Sequence, residues 1–370
     1  EIIQPPPSIL LINEFIFVLP HYANGCIERR NILAVTIKDI AKKAGVSPST
    51  VSRVANGSTA ISDETRQRIL EVMEEMNYHP NSLARNFANG STNTIGLVID
   101  AEEENTFSNA FFNRSVYAIE AVVQSKGYNL IITNNRENKN RTAVKNLILE
   151  NRVDGIILPS SSVTSKLINL LVEEDFPFLV LGEPEIEKDR ISWVDVNNAA
   201  GSEMAVKHLA QMGYQRIAFL FENLNTVFAK NRLAGFKEGL KEASLPYVEN
   251  LIQTWKENDG VLDKELESML SGKEKPDAFI CSNNIIAFQV LKYLKSRKIS
   301  VPDDIGVVTF DNYPFAEYMD PPLTIVDVDT YTLGEQAATN LFNKIKRTDR
   351  GSQQTVISTK LIVRQSSQRR

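Results

Sequence analysis

Thr36-Ile37-Lys38-Asp39-Ile40-Ala41-Lys42-Lys43-Ala44-Gly45-Val46-Ser47-Pro48-Ser49-Thr50-Val51-Ser52-Arg53-Val54 is the stretch on which the reading of this chain turns. Thr36 is an N-cap residue, Ile37, Ile40, Ala41 and Ala44 follow on one helical face, and Gly45 supplies the left-handed residue on which a helix stops. Ser47 caps a second helix with Pro48 in its first turn, where a missing N–H costs nothing, and Val51 and Val54 turn inward. Ser49, Thr50, Ser52 and Arg53 then face away: short hydrogen-bonding groups and one long cation, a set that suits a DNA major groove. Two short amphipathic helices with a glycine turn also occur in many proteins that never touch DNA, so spacing alone leaves the function open.

Outward from this stretch, Ser62 is the N-cap of a third helix with Glu64 and Thr65 in its first turn and Ile69, Val72, Met73 and Met76 at helical spacing. Pro80 ends it, since the residue before a proline avoids helix. The whole chain of 370 residues carries a formal net charge of -5, yet Lys38, Lys42, Lys43 and Arg53 outweigh Asp39 between Val35 and Ala60. A local basic surface inside an acidic protein is what a small DNA-reading head requires.

Thr36 to Ala41, Ala44 to Ser47, Ser49 to Val54 and Asn77-Tyr78-His79-Pro80-Asn81, in this order, closely resemble the head of the LacI/GalR (lactose and galactose repressor) family. The resemblance implies that Pro48, Ser49, Thr50 and Arg53 sit on the recognition helix, with Arg53 able to read a guanine edge in a bidentate way. It implies phosphate contacts, which set register without reading sequence, at Thr36, Ser47, Asn56 and Tyr78. Residues 81–92 match the family's hinge helix, where Asn81, Ala84 and Phe87 belong to the DNA-binding set. The helix is too short to be stable alone in water and forms when two subunits sit together on DNA. Phe87 stands where the family usually has a leucine that wedges into the minor groove, and phenylalanine is a known wedge elsewhere; packing between two hinges is the other reading.

From Thr94 onward, short β-rich apolar runs alternate with helical patterns, the mark of parallel sheets built from βαβ units. Ile95 to Ile99, Asn129 to Thr133, Gly155 to Leu158 and Phe178 to Leu181 read as strands of a first lobe, and Arg216 to Phe221, Ala278 to Cys281 and Gly306 to Phe310 as strands of a second. Helices are expected at Phe111 to Ser125, Arg141 to Asn151, Ala199 to Met212, Lys230 to Ala243 and Ile285 to Lys298, with Leu323 to Val328 passing back toward the first lobe. The expected architecture is α/β: a three-helix helix-turn-helix head (35–80), a hinge helix (81–92) and a two-lobed body (93–370). The body resembles the class I periplasmic sugar-binding fold, with landmarks at Val153 to Ile157, Asn231 to Phe236 and Thr309 to Asn312.

In such folds ligands bind beyond the carboxyl ends of the strands, here in a cleft between the lobes. The resemblance places Arg232 and Asp311 at the polar positions, a pairing suited to vicinal hydroxyls, with Asn283 as a third. Phe228, one turn before Arg232, is the candidate to stack on a ring, with packing as the other reading. Phe111 and Phe112 match the position where the first lobe meets the ligand, and because adjacent helix residues rarely share a face, a core position is the other reading for one of them. Asn284 departs from the family, which commonly has Asp there. Phe176 to Gly182 and Trp193 to Asn198, with Phe228 and Lys230, are similar to maltose-operon repressors of low-GC Gram-positive bacteria.

The resemblance implies a cytoplasmic homodimeric repressor on a pseudo-palindromic operator, controlled by a small sugar effector such as maltose or maltodextrin. A regulator driven by a phosphorylated carrier protein, as in the family's catabolite-control branch, is the alternative. No Ser/His/Asp or Cys/His set, paired-carboxylate motif or phosphate-cradling glycine loop points to an enzyme, and no cofactor is implied. Cys26 and Cys281 lack ligand or disulfide spacing, and His21, His79 and His208 are scattered. Residues 1–34 read as an extension upstream of the functional start: the run from Ser8 to Leu19 is too short and interrupted to span a bilayer, and Glu28-Arg29-Arg30 has the look of a translated ribosome-binding sequence.

Overall fold

The computed structural model describes residues 10–12, 15–17, 35–55, 57–78, 90–99, 110–134, 137–138, 141–255, 261–347 and 351–369. The chain divides into two compact units, Glu1–Arg85 and Asn86–Arg370, a division that falls inside the expected hinge. The hinge residues Asn81, Ala84 and Phe87, and Asn56 before them, lie outside the described residues.

In the first unit, β1 (Leu10–Ile12) pairs antiparallel with β2 (Phe15–Phe17). The head follows as α1 (Ile37–Ala44), α2 (Pro48–Ala55) and α3 (Asp63–Glu75). The carboxylate of Asp39 accepts from both the N–H (2.9 Å) and the hydroxyl (2.7 Å) of Thr36, which closes the first turn of α1 and holds the Asp39 carboxyl below its usual range. Gly45 ends α1 at φ 69°, a conformation that costs a Cβ-free residue little. Ile40, Ala41, Ala44, Val51, Val54, Ile69 and Met73 close into one small core, with Tyr78 packed at its edge. Ser62 differs from expectation: its hydroxyl donates to the Thr65 hydroxyl at 2.9 Å rather than accepting a backbone N–H.

The second unit runs β3 (Thr94–Ile99), α4 (Ala110–Ser125), β4 (Asn129–Asn134), a ribbon of β5 (Glu137–Asn138) and β6 (Arg141–Thr142), and α5 (Ala143–Leu149). Then come β7 (Gly155–Pro159), α6 (Ser165–Glu173), β8 (Phe178–Leu181), β9 (Trp193–Val196) and α7 (Asn198–Gln211). β10 (Ile217–Phe221), α8 (Val227–Glu242), β11 (Ile252–Thr254), α9 (Val261–Ser271), β12 (Ala278–Cys281), α10 (Asn284–Ser296) and β13 (Gly306–Phe310) continue the pattern. The chain closes with β14 (Thr324–Asp327), α11 (Thr330–Ile345), β15 (Gln354–Ile357) and β16 (Lys360–Ile362).

Two six-stranded sheets result, in the orders β15-β9-β8-β7-β3-β4 and β11-β10-β12-β13-β14-β16. Every pairing in them is parallel except β14 with β16. β3, β9, β10, β12 and β13 are buried along their full length, as strands of parallel sheets covered on two faces are. Leu323 to Val328, expected as a passage back to the first lobe, instead contributes β14 to the second sheet beside β13. The crossing comes just after it, between β14 and α11, which packs on the first sheet. Two other crossings join β9 to α7 and β15 to β16, so three segments of chain link the lobes. α7 and α8 cross so closely that a Cβ on Gly235 would stand 2.0 Å from the carbonyl oxygen of Ala199.

The helix expected at Arg141 to Asn151 is shorter, because Arg141 and Thr142 pair in the β5–β6 ribbon. α8 starts earlier than expected, at Val227, where the Thr226 hydroxyl accepts from the Ala229 N–H at 3.3 Å. Among the described residues, no helix is long and apolar enough to cross a membrane.

Candidate functional site

On the head, α2 buries Val51 and Val54 and leaves Ser47, Pro48, Ser49 and Arg53 exposed, with Thr50 half-buried. The Ser47 hydroxyl lies 2.7 Å from that of Ser49 and 2.8 Å from that of Thr50, and it accepts from the Thr50 N–H at 3.2 Å. One side chain therefore both caps α2 and arranges two hydroxyls along its leading edge. Lys43 pairs with Glu75 of α3 at 2.7 Å, and the acidic residues of α3 offset the cations of α1. Thr36 is exposed at the start of α1, and Tyr78 is half-buried after α3.

In the body, the carboxyl ends of both sheets meet around a cavity of about 390 Å³, in the ordinary range for small-molecule sites of roughly 300–1,000 Å³. Phe112, Phe228, Arg232, Asn283 and Asp311 all line it. Five sequence candidates spread over two hundred residues thus come together at one place. Phe111 lies beside Phe112 on α4, and its side chain is outside the described residues.

Arg232 is the centre of the arrangement. α8 carries it inward, 5% exposed. Its Nε donates to Asn198 Oδ1 at 2.9 Å, and its Nη1 donates to the Ser282 carbonyl at 2.7 Å. Its Nη2 stands 4.0 Å from Asp311 Oδ1. The guanidinium lies over the Phe310 ring at 3.8 Å and near the Phe228 ring at 5.3 Å, cation–π contacts that strengthen away from water. Burial pulls the Arg232 pKa down, and the carboxylates of Asp311 and Asp195 oppose that pull.

Asp311 follows β13 at φ 69°, an uncommon conformation for a residue with a side chain. Asn284 holds that turn: its Nδ2 donates to the carbonyls of Phe310 at 3.1 Å and Asp311 at 2.8 Å. A carboxylate at 284 has no proton to donate, so the departure from the family's usual Asp changes what this position does. Asp311 Oδ1 is buried and has no hydrogen-bond partner, and burial raises the Asp311 pKa against the lowering effect of Arg232. An orphaned acceptor of this kind calls for an explanation, and a donor on a bound molecule supplies one. Asn283 is committed on one side, since its Oδ1 caps α10 by accepting from the Ile286 N–H at 2.9 Å; its Nδ2 donates to Glu222 at 3.1 Å.

Three further residues of the cavity escaped the reading of the sequence as site residues. Asp195, at the end of β9, is buried and accepts from the backbone N–H groups of Glu183 (3.0 Å) and Val196 (2.7 Å), with burial raising its pKa. Glu183 accepts from Asn231 at 2.7 Å, and outside the cavity Lys230 reaches Glu185 at 2.6 Å. These two contacts join the second lobe's α8 to the segment after β8 of the first. Asn198 orients Arg232. The available signal was position: each of these lies at or just beyond the carboxyl end of a strand. His208, by contrast, is away from the cavity, its Nε2 2.7 Å from the Ser367 hydroxyl inside the second lobe.

Residues 36–81 match the family described as bacterial regulatory proteins, lacI family, and residues 206–367 match a periplasmic binding protein-like domain. An HTH-type transcriptional repressor PurR of Vibrio atlanticus is 31% identical over 319 residues, 85% of this chain and 93% of its own length. The PurR of Mannheimia succiniciproducens is 30% identical over 337 residues, 90% of this chain and 98% of its own. The structure of a transcriptional regulator CelR–cellobiose complex superposes with a TM-score of 0.66 at 27% identity, covering 90% of this chain and 99% of that one. The lac repressor dimer bound to operator and the anti-inducer ONPF superposes at 0.75 with 24% identity over 90% of this chain and 99% of its own, a likeness of fold.

Proposed function

The chain belongs to the lacI family of bacterial regulatory proteins, a DNA-binding transcriptional repressor with a ligand-binding body and no enzymatic role, and on that premise we propose that a small sugar in the cleft controls it. The observation that carries this reading is the Arg232–Asp311 pair beside Phe228 and Phe112. Vicinal hydroxyls suit a guanidinium and a carboxylate together, and the C–H face of a pyranose suits an aromatic ring. The likeness to maltose-operon repressors and the relative solved with cellobiose put glucose disaccharides first, maltose and maltodextrin ahead of the rest.

On DNA, Pro48, Ser49 and Arg53 meet base edges of a pseudo-palindromic operator, Thr36, Ser47, Asn56 and Tyr78 meet phosphates, and Thr50 and Asn81 belong to the same DNA-binding set. Two subunits present two heads, and their hinges place Ala84 and Phe87 at the central minor groove. Ligand binding changes operator affinity to the extent that the ligand prefers one state of the body; a preference of about 100-fold corresponds to roughly 2.7 kcal/mol of coupling.

The test is operator-fragment binding by fluorescence anisotropy at fixed salt, because DNA affinity varies steeply with ionic strength. Maltose, maltotriose and cellobiose are titrated in turn. A shift in operator affinity with one of them supports the reading and names the ligand. Tight operator binding that no sugar alters defeats it and favours a phosphorylated carrier protein as the effector.

A further inference from the structure

The cavity is unbalanced in charge and in hydrogen-bonding character. Among the described residues, four carboxylates line it, Glu183, Asp195, Glu222 and Asp311, against one cation, Arg232. Arg232 is already engaged by Asn198 and Ser282 and lies over Phe310. Lys188 and Lys230 stand nearby but are paired with Glu183 at 3.4 Å and Glu185 at 2.6 Å. An ionised carboxylate only accepts hydrogen bonds. The walls are therefore rich in acceptors and poor in positive charge.

α7, α8 and α10 bring their first turns to the cavity, and helix N-termini attract anions. Here each has an uncharged cap occupying a first-turn N–H: Asn197 at 3.0 Å, Thr226 at 3.3 Å and Asn283 at 2.9 Å. Each N-terminus contributes about half a positive charge at most, and three of them do not cancel the surplus of carboxylates.

We infer that the cleft selects a hydroxyl-rich ligand without anionic groups, so that a free sugar binds and its phosphorylated form is rejected. The inference rests on the sugar reading of the cleft and narrows it to a chemical class. A free sugar brings many O–H donors to an acceptor-lined wall and satisfies the orphaned Asp311 Oδ1. A phosphate brings up to two negative charges and no matching cation, and like charges a few ångströms apart in a site of low effective dielectric repel strongly.

The experiment is isothermal titration calorimetry of the full-length protein with matched pairs: glucose and glucose 6-phosphate, trehalose and trehalose 6-phosphate. Maltose and cellobiose are run beside them, with inorganic phosphate as control. The expected result is a free sugar that binds and a phosphorylated partner weaker by about tenfold or more. A phosphorylated sugar that binds as tightly as its parent, or more tightly, overturns the charge inference and leaves the sugar cleft standing. If no sugar binds in either form, the sugar reading itself fails and the inference goes with it. The double variant Glu183→Gln and Glu222→Gln keeps carbonyl acceptors for Asn231 and Asn283 while removing two charges. It should narrow the gap between free and phosphorylated sugar severalfold, and an unchanged gap would assign the discrimination to shape rather than charge, against the inference.

Discussion

On the head, Arg53 stands in solvent on α2 with a hydroxyl edge beside it, and its position costs the fold almost nothing. In the cleft, Arg232 is the same amino acid held out of water between two carboxylates and a phenylalanine ring. Under the proposed function, the first meets its partner on DNA. The second already has partners, and the body is built around them. Two arginines with one chemistry thus differ in what their removal does, because desolvating a charge is expensive unless its neighbours compensate.

The sharpest contrast comes from Arg232→Ala. It leaves the buried Asp195 and the half-buried Asp311 without a cation, and breaking a fully buried pair in this way costs about 3–5 kcal/mol, which partial exposure of Asp311 reduces. A large drop in thermal midpoint with loss of ligand binding is expected by calorimetry; an unchanged midpoint would mean that the guanidinium is not structural. Gly235→Ala tests the frame behind that residue, since its Cβ meets backbone at 2.0 Å and not a yielding side chain. A loss of about 3 kcal/mol is expected, and full stability in urea titration would show that α7 and α8 separate freely.

Arg53→Ala should do the reverse of Arg232→Ala. Operator affinity falls by about 1–3 kcal/mol and base preference relaxes at one position per half-site, while stability and sugar affinity stay where they were. Equal losses on cognate and random DNA would make Arg53 a phosphate contact instead. The smallest effect is in pH. Burial raises the folded-state values of Asp195 and Asp311, so any ligand that needs them as acceptors loses affinity as pH falls through those raised values, above the ordinary carboxylate range. Taken alone, the same two groups favour the unliganded fold at low pH and disfavour it once ionised. Sugar affinity that stays flat from pH 7 down to the usual carboxylate range would exclude both as ligand acceptors.

Legibility followed the same divide. Thr36, Gly45, Ser47 and Pro48 act through neighbours within a few residues, and the structure shows α1 and α2 where those neighbours imply them. The strands at Phe178–Leu181, Ala278–Cys281 and Gly306–Phe310 were plain because parallel strands buried on both faces are continuous apolar runs. Asp195 and Glu183 were opaque, since nothing in their local sequence tells that a helix from the other lobe brings Arg232 and Asn231 to them. β15 and β16 were missed for a related reason: Gln354–Ile357 and Lys360–Ile362 are short, half-polar edge strands whose identity depends on the sheet that receives them. β14 was seen but misassigned, because a run of apolar residues gives no clue to which of two sheets it will join.

The three segments that join the lobes have a mechanical consequence. A single tether would let one lobe swing, slide or spin against the other, whereas three side by side behave like the leaves of a strap hinge. They bend together about one line and resist shear and twist. Any change of angle between the lobes is then a rotation along a fixed arc, and it acts on the two contacts that already join them, Asn231 with Glu183 and Lys230 with Glu185. A ligand only a few ångströms across is enough to set the angle of a much longer lever.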